Sequence, residues 1–273
     1  MKQLVYRQRL LTRLTHWLWA ICIFFLFFSG TQIFNAHPTL YLGNESGFNY
    51  DNAVFSAYAV TGDDGPEGRV RIFGEEINTT GVFGVSGNLD NPSYQGFPST
   101  LTIPSYRDLA SGRIVHFFFA WLFVVNFFFW LFGGFANKHI QHDILPSKTD
   151  LRRLPNDFIA HLRLRFHPRK QYNPSQKLMY FGVMFGLFPI IIVTGLAMSP
   201  GADSILPLTH WLGGRQTART LHFAACLLIV AFFVVHIVMV LVAGPVNQLR
   251  SIVSGWFKVD VNTDQIGQDH DSA

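Results

Sequence analysis

Four apolar stretches, near residues 14–34, 111–133, 178–198 and 220–243, decide what this chain can fold into. Each approaches the roughly 20 residues that a helix needs to cross a hydrocarbon core of about 30 Å. Only helices and closed barrels satisfy their backbone hydrogen bonds there. The sequence therefore predicts an all-α integral membrane protein, a four-helix transmembrane bundle. Composition agrees, since 49% of the 273 residues are hydrophobic and 15% aromatic against 14% charged, an unusual balance for a soluble domain. Charged residues precede the first stretch, as in a signal peptide, but no small-residue cleavage site follows it, so it is kept as a span. No internal repeat is evident, which argues against transporter folds built from paired halves.

The net charge of +4 would suggest nucleic acid in a soluble protein. Here the basic residues cluster in short segments beside apolar runs, where they read as topology signals. Lys2, Arg7, Arg9 and Arg13 precede span one, and Lys138, Lys148, Arg152, Arg153, Arg163, Arg165, Arg169, Lys170 and Lys177 lie between spans two and three. Both termini are therefore expected on the cytoplasmic side of the membrane.

Residues 35–110 hold only Arg69, Arg71 and Arg107 against nine acidic residues and read as a long extracytoplasmic loop between helices one and two. It is too long for an idle connection. Alternation at 69–73, a Gly-Glu-Glu turn and 77–85 predict a short hairpin within it. The loop is expected to be a cap or a docking surface whose replacement over 43–98 spares the helices. Between spans two and three, Phe158, Ile159, Leu162 and Phe166 recur at helical spacing like an interfacial helix on lipid. Domain reading gives a membrane domain over 1–258, with 35–110 as an insertion, and a disordered cytoplasmic tail over 259–273.

Histidines carry the chemistry. His222 and His236 stand fourteen positions apart in the fourth run, which returns to nearly the same helix face about 21 Å further along the axis. That spacing is a ladder for two stacked haems. With the amino terminus inside, depth pairs His116 with His222 near the outer face and His16 with His236 near the inner one. Ionisable residues within spans default to a functional reading, and imidazole is a common haem ligand. Cys22 and Cys226 supply no Cys-x-x-Cys-His, so two haems b would be held without covalent attachment. Arg13, Arg113 and Arg219 each lie three residues before one of these histidines and are candidates for haem propionates or for headgroup anchors. Gly30, fourteen positions after His16, would admit the outer macrocycle or a close helix contact. His37, His139, His142, His161, His167, His210 and His270 read as loop, interfacial or tail residues.

At these residues the chain resembles the four-helix di-haem cytochrome b family that includes bacterial cytochrome b561 and the membrane subunits of nickel–iron hydrogenases and formate dehydrogenases. The matching elements are RLTHW around His16, GRIVHFFFAW around His116 and RTLHFAACLLIVAFFVVHIVMV holding His222 and His236. The resemblance implies that these four histidines ligate two b haems. It also implies, through QYNPSQKL, that Asn173 and Gln176 contribute to a quinone site, although Asn173 followed by Pro174 is equally an N-cap pair. The segments SGTQIFNAHPTLY and VLVAGPVNQLRSIVSGWF resemble the subgroup found with periplasmic molybdopterin oxidoreductases.

The expected function is an electron-transfer subunit linking the quinone pool to a periplasmic oxidoreductase subunit. Two rivals stand beside it. One is a self-contained quinone-linked oxidoreductase acting on a small species such as superoxide. The other is a proton transporter using the histidines as a relay.

Overall fold

A computed structural model describes residues 2–63, 65–88, 91–162 and 172–260. The chain runs β1 (Lys2–Tyr6), α1 (Leu10–Phe34), β2 (Thr39–Tyr41), β3 (Ala53–Gly62), β4 (Gly65–Ile72), β5 (Glu75–Asn78), β6 (Ser86–Asn88), β7 (Asn91–Ser93) and α2 (Leu109–Ala136). A π turn (Ile140–Ile144), α3 (Lys148–Leu162), α4 (Pro174–Gly182), a second π turn (Val183–Leu187), α5 (Phe188–Ala197), α6 (Pro200–Ile205), α7 (Leu208–Trp211), α8 (Arg215–Val242), α9 (Pro245–Ser254) and β8 (Trp256–Asp260) follow.

Among the described residues four helices are long and apolar enough to cross a membrane: Leu10–Phe34, Leu109–Ala136, Pro174–Ala197 and Arg215–Val242. The third is α4 and α5 joined through the second π turn. Their starts are written locally. Asp108 accepts the Ser111 N–H at 3.0 Å to open α2, and this bonding holds its carboxyl below the usual carboxylate range. At α4, Asn173 and Gln176 form a capping box with Pro174 at the first helical position.

The all-α expectation is corrected to a mostly helical fold. β2, β3, β4 and β5 form a four-stranded antiparallel sheet in sequence order. Its hairpin β4–β5, with Arg71 opposite Glu76, is the one that the alternation around 69–73 announces. The longest pairing, Phe55–Gly62 against Gly65–Ile72, joins it to β3, whose run AVFSAYAV is apolar at too many positions to show a strand period. Of the second arm expected at 77–85, only Ile77 and Asn78 lie in β5, which ends at Asn78.

The chain divides into two compact units. In the unit formed by Met1–Trp19, Val125–Pro189 and Leu227–Ala273, Trp19 packs edge-on against Trp130 and Phe188 at 5.8 and 5.3 Å. The buried Asn126 amide donates to the Thr15 carbonyl at 3.0 Å. Strands β1 and β8 pair antiparallel from Lys2–Asp260 to Tyr6–Trp256, burying Phe257 and Val259. Gly255 ends α9 in the left-handed region, φ 91°, and its carbonyl accepts the N–H groups of Arg7 and Gln8 at 2.8 and 3.2 Å. Val259 and Asp260, read as the start of a tail, thus belong to a strand, while 261–273 lies outside the described residues. Phe158 and Ile159 are exposed on α3; Phe166 lies outside the described residues.

In the unit formed by Ala20–Val124 and Ile190–Cys226, the core is Phe34, Leu40 and Phe97 with Val54, Phe55, Phe83, Leu101 and Phe223 around it. Phe34 stacks on Phe223 at 4.8 Å. Buried Asn35 pairs with Phe97 as a backbone would, accepting its N–H at 2.7 Å and donating to its carbonyl at 3.0 Å. The Gly43 carbonyl accepts the N–H groups of Gln216 and Thr217 at 3.0 and 3.3 Å, closing the start of α8. The segment joining α1 to α2 is therefore packed and hydrogen-bonded against the ends of α1 and α8.

Candidate functional site

The four span histidines meet as two pairs, each within one unit. His16 of α1 faces His236 of α8 with ring centres 6.2 Å apart and planes at 54°. His116 of α2 faces His222 of α8 at 6.4 Å and 60°. Each pair draws on two helices, and the partners are those that depth alone selected. Trp17 stands edge-on to His16 at 5.5 Å, and Phe232 stacks on His236 at 5.8 Å.

These separations fit one metal between two imidazoles. Metal bonds to imidazole nitrogen run about 2.0–2.1 Å, and a five-membered ring with sides of about 1.35 Å has its centre about 1.1 Å from each nitrogen. A shared metal therefore asks for about 6.3 Å between ring centres. The interplanar angles are compatible, because each ring keeps its own rotation about the coordination axis. Among the described residues no group of three or more His, Cys, Asp or Glu side chains could hold a metal. Two facing imidazoles complete a six-coordinate iron only where a macrocycle supplies the four donors in plane, as haem does.

Hydrogen bonding orients the His116–His222 pair. The Ser29 hydroxyl donates to the Phe25 carbonyl at 2.6 Å and meets His116 Nδ1 at 3.1 Å. The Thr194 hydroxyl donates to the Ile190 carbonyl at 2.7 Å and meets His222 Nδ1 at 3.0 Å. A hydroxyl has one proton, already spent on the carbonyl, so each imidazole donates from Nδ1 and keeps the Nε2 lone pair for a metal. Glycines follow both hydroxyl residues. A Cβ on Gly30 would stand 3.4 Å from His116 Cε1, and one on Gly195 would stand 3.4 Å from His222 Cε1. What Gly30 admits is the imidazole of His116.

The remaining candidates are placed as follows. Arg219 donates to the carbonyls of His37 and Thr39 at 2.5 and 2.8 Å, tying α8 to the segment after α1. Arg13 donates to the Val253 carbonyl at 2.5 Å, and Arg113 lies over the Phe117 ring at 5.7 Å. The Gln176 side chain accepts the Asn173 N–H at 3.2 Å within the capping box, so both side chains serve the start of α4.

His37 meets the Tyr41 hydroxyl at 3.0 Å, and burial, reinforced by Arg219, holds its pKa below the ordinary histidine value. His139 is buried against Asp143 at 2.7 Å, and that hydrogen bond holds the Asp143 carboxyl low. His210 lines a cavity of about 420 Å³ with Asn44, Thr209, Gly213 and Gly214. His167 and His270 lie outside the described residues. The sequence reading missed Ser29, Thr194 and Gly195; their signal is a hydroxyl–glycine dipeptide inside an apolar run.

A family model described as prokaryotic cytochrome b561 matches residues 7–255. The chain belongs to that family. As a prokaryotic cytochrome b561 it is a membrane cytochrome of the haem-b class, and its four apolar helices suit that setting. It is also similar to a protein of Azospira oryzae that bears the name protein-methionine-sulfoxide reductase subunit YedZ1, at 29% identity over 127 residues. That match covers 46% of this chain and 62% of the relative's length.

Proposed function

We propose that this cytochrome is the membrane electron-transfer subunit of an oxidoreductase, carrying two haems b. His16 and His236 hold the haem nearer the cytoplasm, and His116 and His222 hold the one nearer the periplasm. The observation that carries the reading is the meeting of both pairs at a separation that suits one iron each. Bound haem supplies reversible one-electron exchange at each pair. The chain's own part is to present two facing imidazoles at each site, orient the His116–His222 rings through Ser29 and Thr194, and hold the pairs half-buried in apolar helices.

Quinone is proposed as the redox partner on the inner side, with the start of α4 around Asn173 and Gln176 as the docking region carried over from the family resemblance. A periplasmic oxidoreductase, of the molybdopterin type, is proposed as the partner on the other side. The relative's name, a methionine-sulfoxide reductase subunit, supports a membrane subunit serving a separate reductase. Both termini are placed in the cytoplasm and residues 35–110 outside, on the distribution of lysine and arginine.

The spacing speaks against a direct histidine relay. Proton hand-off needs nitrogens within about 3.2 Å, whereas rings of this size centred 6.2 and 6.4 Å apart leave at least about 4 Å between their atoms.

The test is an absorption spectrum and haem assay on the purified full chain. A six-coordinate low-spin b-type spectrum with about two haems per chain, reduced on adding quinol, is expected. A folded, haem-free preparation defeats the reading, and haem that quinol does not reduce defeats the quinone link alone.

A further inference from the structure

The two histidine pairs differ in what stands behind them. Both Nδ1 atoms of the His116–His222 pair lie within hydrogen-bond distance of a hydroxyl that is itself positioned to donate to a carbonyl four residues earlier on its helix. The carbonyls of Leu26 and Ile191 also lie within reach of these rings. The arrangement repeats on two helices, Ser29–Gly30 on α1 cradling His116 and Thr194–Gly195 on α5 cradling His222. In the other pair, His16 Nδ1 is buried without a hydrogen-bond partner. Among the described residues His236 makes no hydrogen bond either.

A partner on the far nitrogen of a ligating imidazole fixes its tautomer and raises its basicity. A more basic axial ligand favours the oxidised iron, which lowers the reduction potential. The glycine beside each hydroxyl lets the helix backbone approach the imidazole edge, so the hydroxyl reaches Nδ1 without displacing the ring. A bulkier residue at either glycine would press on Cε1.

We propose that Ser29 and Thr194 are positioning residues that lock both imidazoles of the His116–His222 pair in the Nδ1–H form and hold down the reduction potential of the haem bound there. Among the described residues the His16–His236 pair has no such hydroxyl partner. The inference rests on the haem reading above and assigns to one of its two sites a setting that the other lacks.

The experiment is spectroelectrochemistry on the purified full chain, with the haem lost in His116→Ala identifying the affected site. Ser29→Ala or Thr194→Val should shift that site's oxidised-to-reduced equilibrium about tenfold toward reduced, or about 59 mV upward, leaving the other haem unmoved. Ser29→Thr and Thr194→Ser should restore the original value.

Unchanged potentials in the double variant Ser29→Ala with Thr194→Val, both haems present, overturn the proposal, as does an equal shift in both haems. If Thr194→Val loses the haem instead, Thr194→Ser decides. Retention with Ser supports the hydroxyl's positioning role, and loss with Ser as well overturns it, because side-chain volume is then what matters. Absence of any b-type spectrum from the unaltered protein would refute the haem reading itself, a result distinguishable from all of these.

Discussion

At the scale of single residues, each histidine pair is complete without the other. His236 contributes only to the pair with His16, and His222 only to the pair with His116. His236→Ala is therefore expected to reduce the haem content from about two per chain to about one, leaving the His116–His222 haem with its own potential; His116→Ala should do the reverse. Haem assays with reduced-minus-oxidised spectra check this, and loss of both haems from either variant would contradict independent pairs.

The pairing was legible because a fourteen-residue spacing survives any reasonable error in helix boundaries. The hydroxyls were not. Serine and threonine in apolar helices commonly bond the carbonyl three or four residues back, and Ser29 and Thr194 do that here. Their second role, accepting from an imidazole on another helix, exists only once the helices are packed.

At the scale of elements, the segment between α1 and α2 changes meaning most between sequence and structure. Its acidic surplus and turn residues suggested a detachable docking surface. Instead Phe97 is buried against Phe34, Gly43 caps α8, and Thr220 donates to the Tyr41 carbonyl at 2.6 Å. Burying each such aromatic contributes about 1.5–3 kcal/mol. Replacing residues 43–98 with a short flexible linker is thus expected to cost the haem at His116–His222 and to spare the one at His16–His236. Haem content and the surviving spectrum measure it; a shortened protein that keeps both haems would show that α1 and α8 hold the site unaided.

The same scale explains what a single sequence hides. Span limits follow from composition, so the four helices were readable to within several residues. Strand β3 gains its identity from register with β4, a property of two segments. Likewise Asn173 and Gln176 form a helix cap in the geometry, whereas their quinone role is proposed from the family resemblance alone. Only the first can be read from one chain's backbone chemistry.

At the scale of the whole molecule, β1 and β8 join segments far apart in the sequence. Phe257 is 1% exposed, with the Arg7 guanidinium 4.5 Å above its ring and 5.0 Å from that of Tyr172. Phe257→Ala should cost about 3–5 kcal/mol of the stability of that unit, read as a lower unfolding temperature in detergent. Wild-type thermal behaviour would mean that the strand pair contributes nothing to holding the unit together.

The strand pair also sets an order of events in biosynthesis. β1 precedes α1 and its partner follows α9, so β1 waits unpaired until the four long apolar helices described between them have been made. Throughout that interval it presents an open hydrogen-bonding edge, which is the kind of surface that chaperones and proteases recognise. Closure of the pair therefore waits on the synthesis of α9 and β8. A chain halted within α8 or α9 lacks β8 and so keeps the β1 edge unpaired.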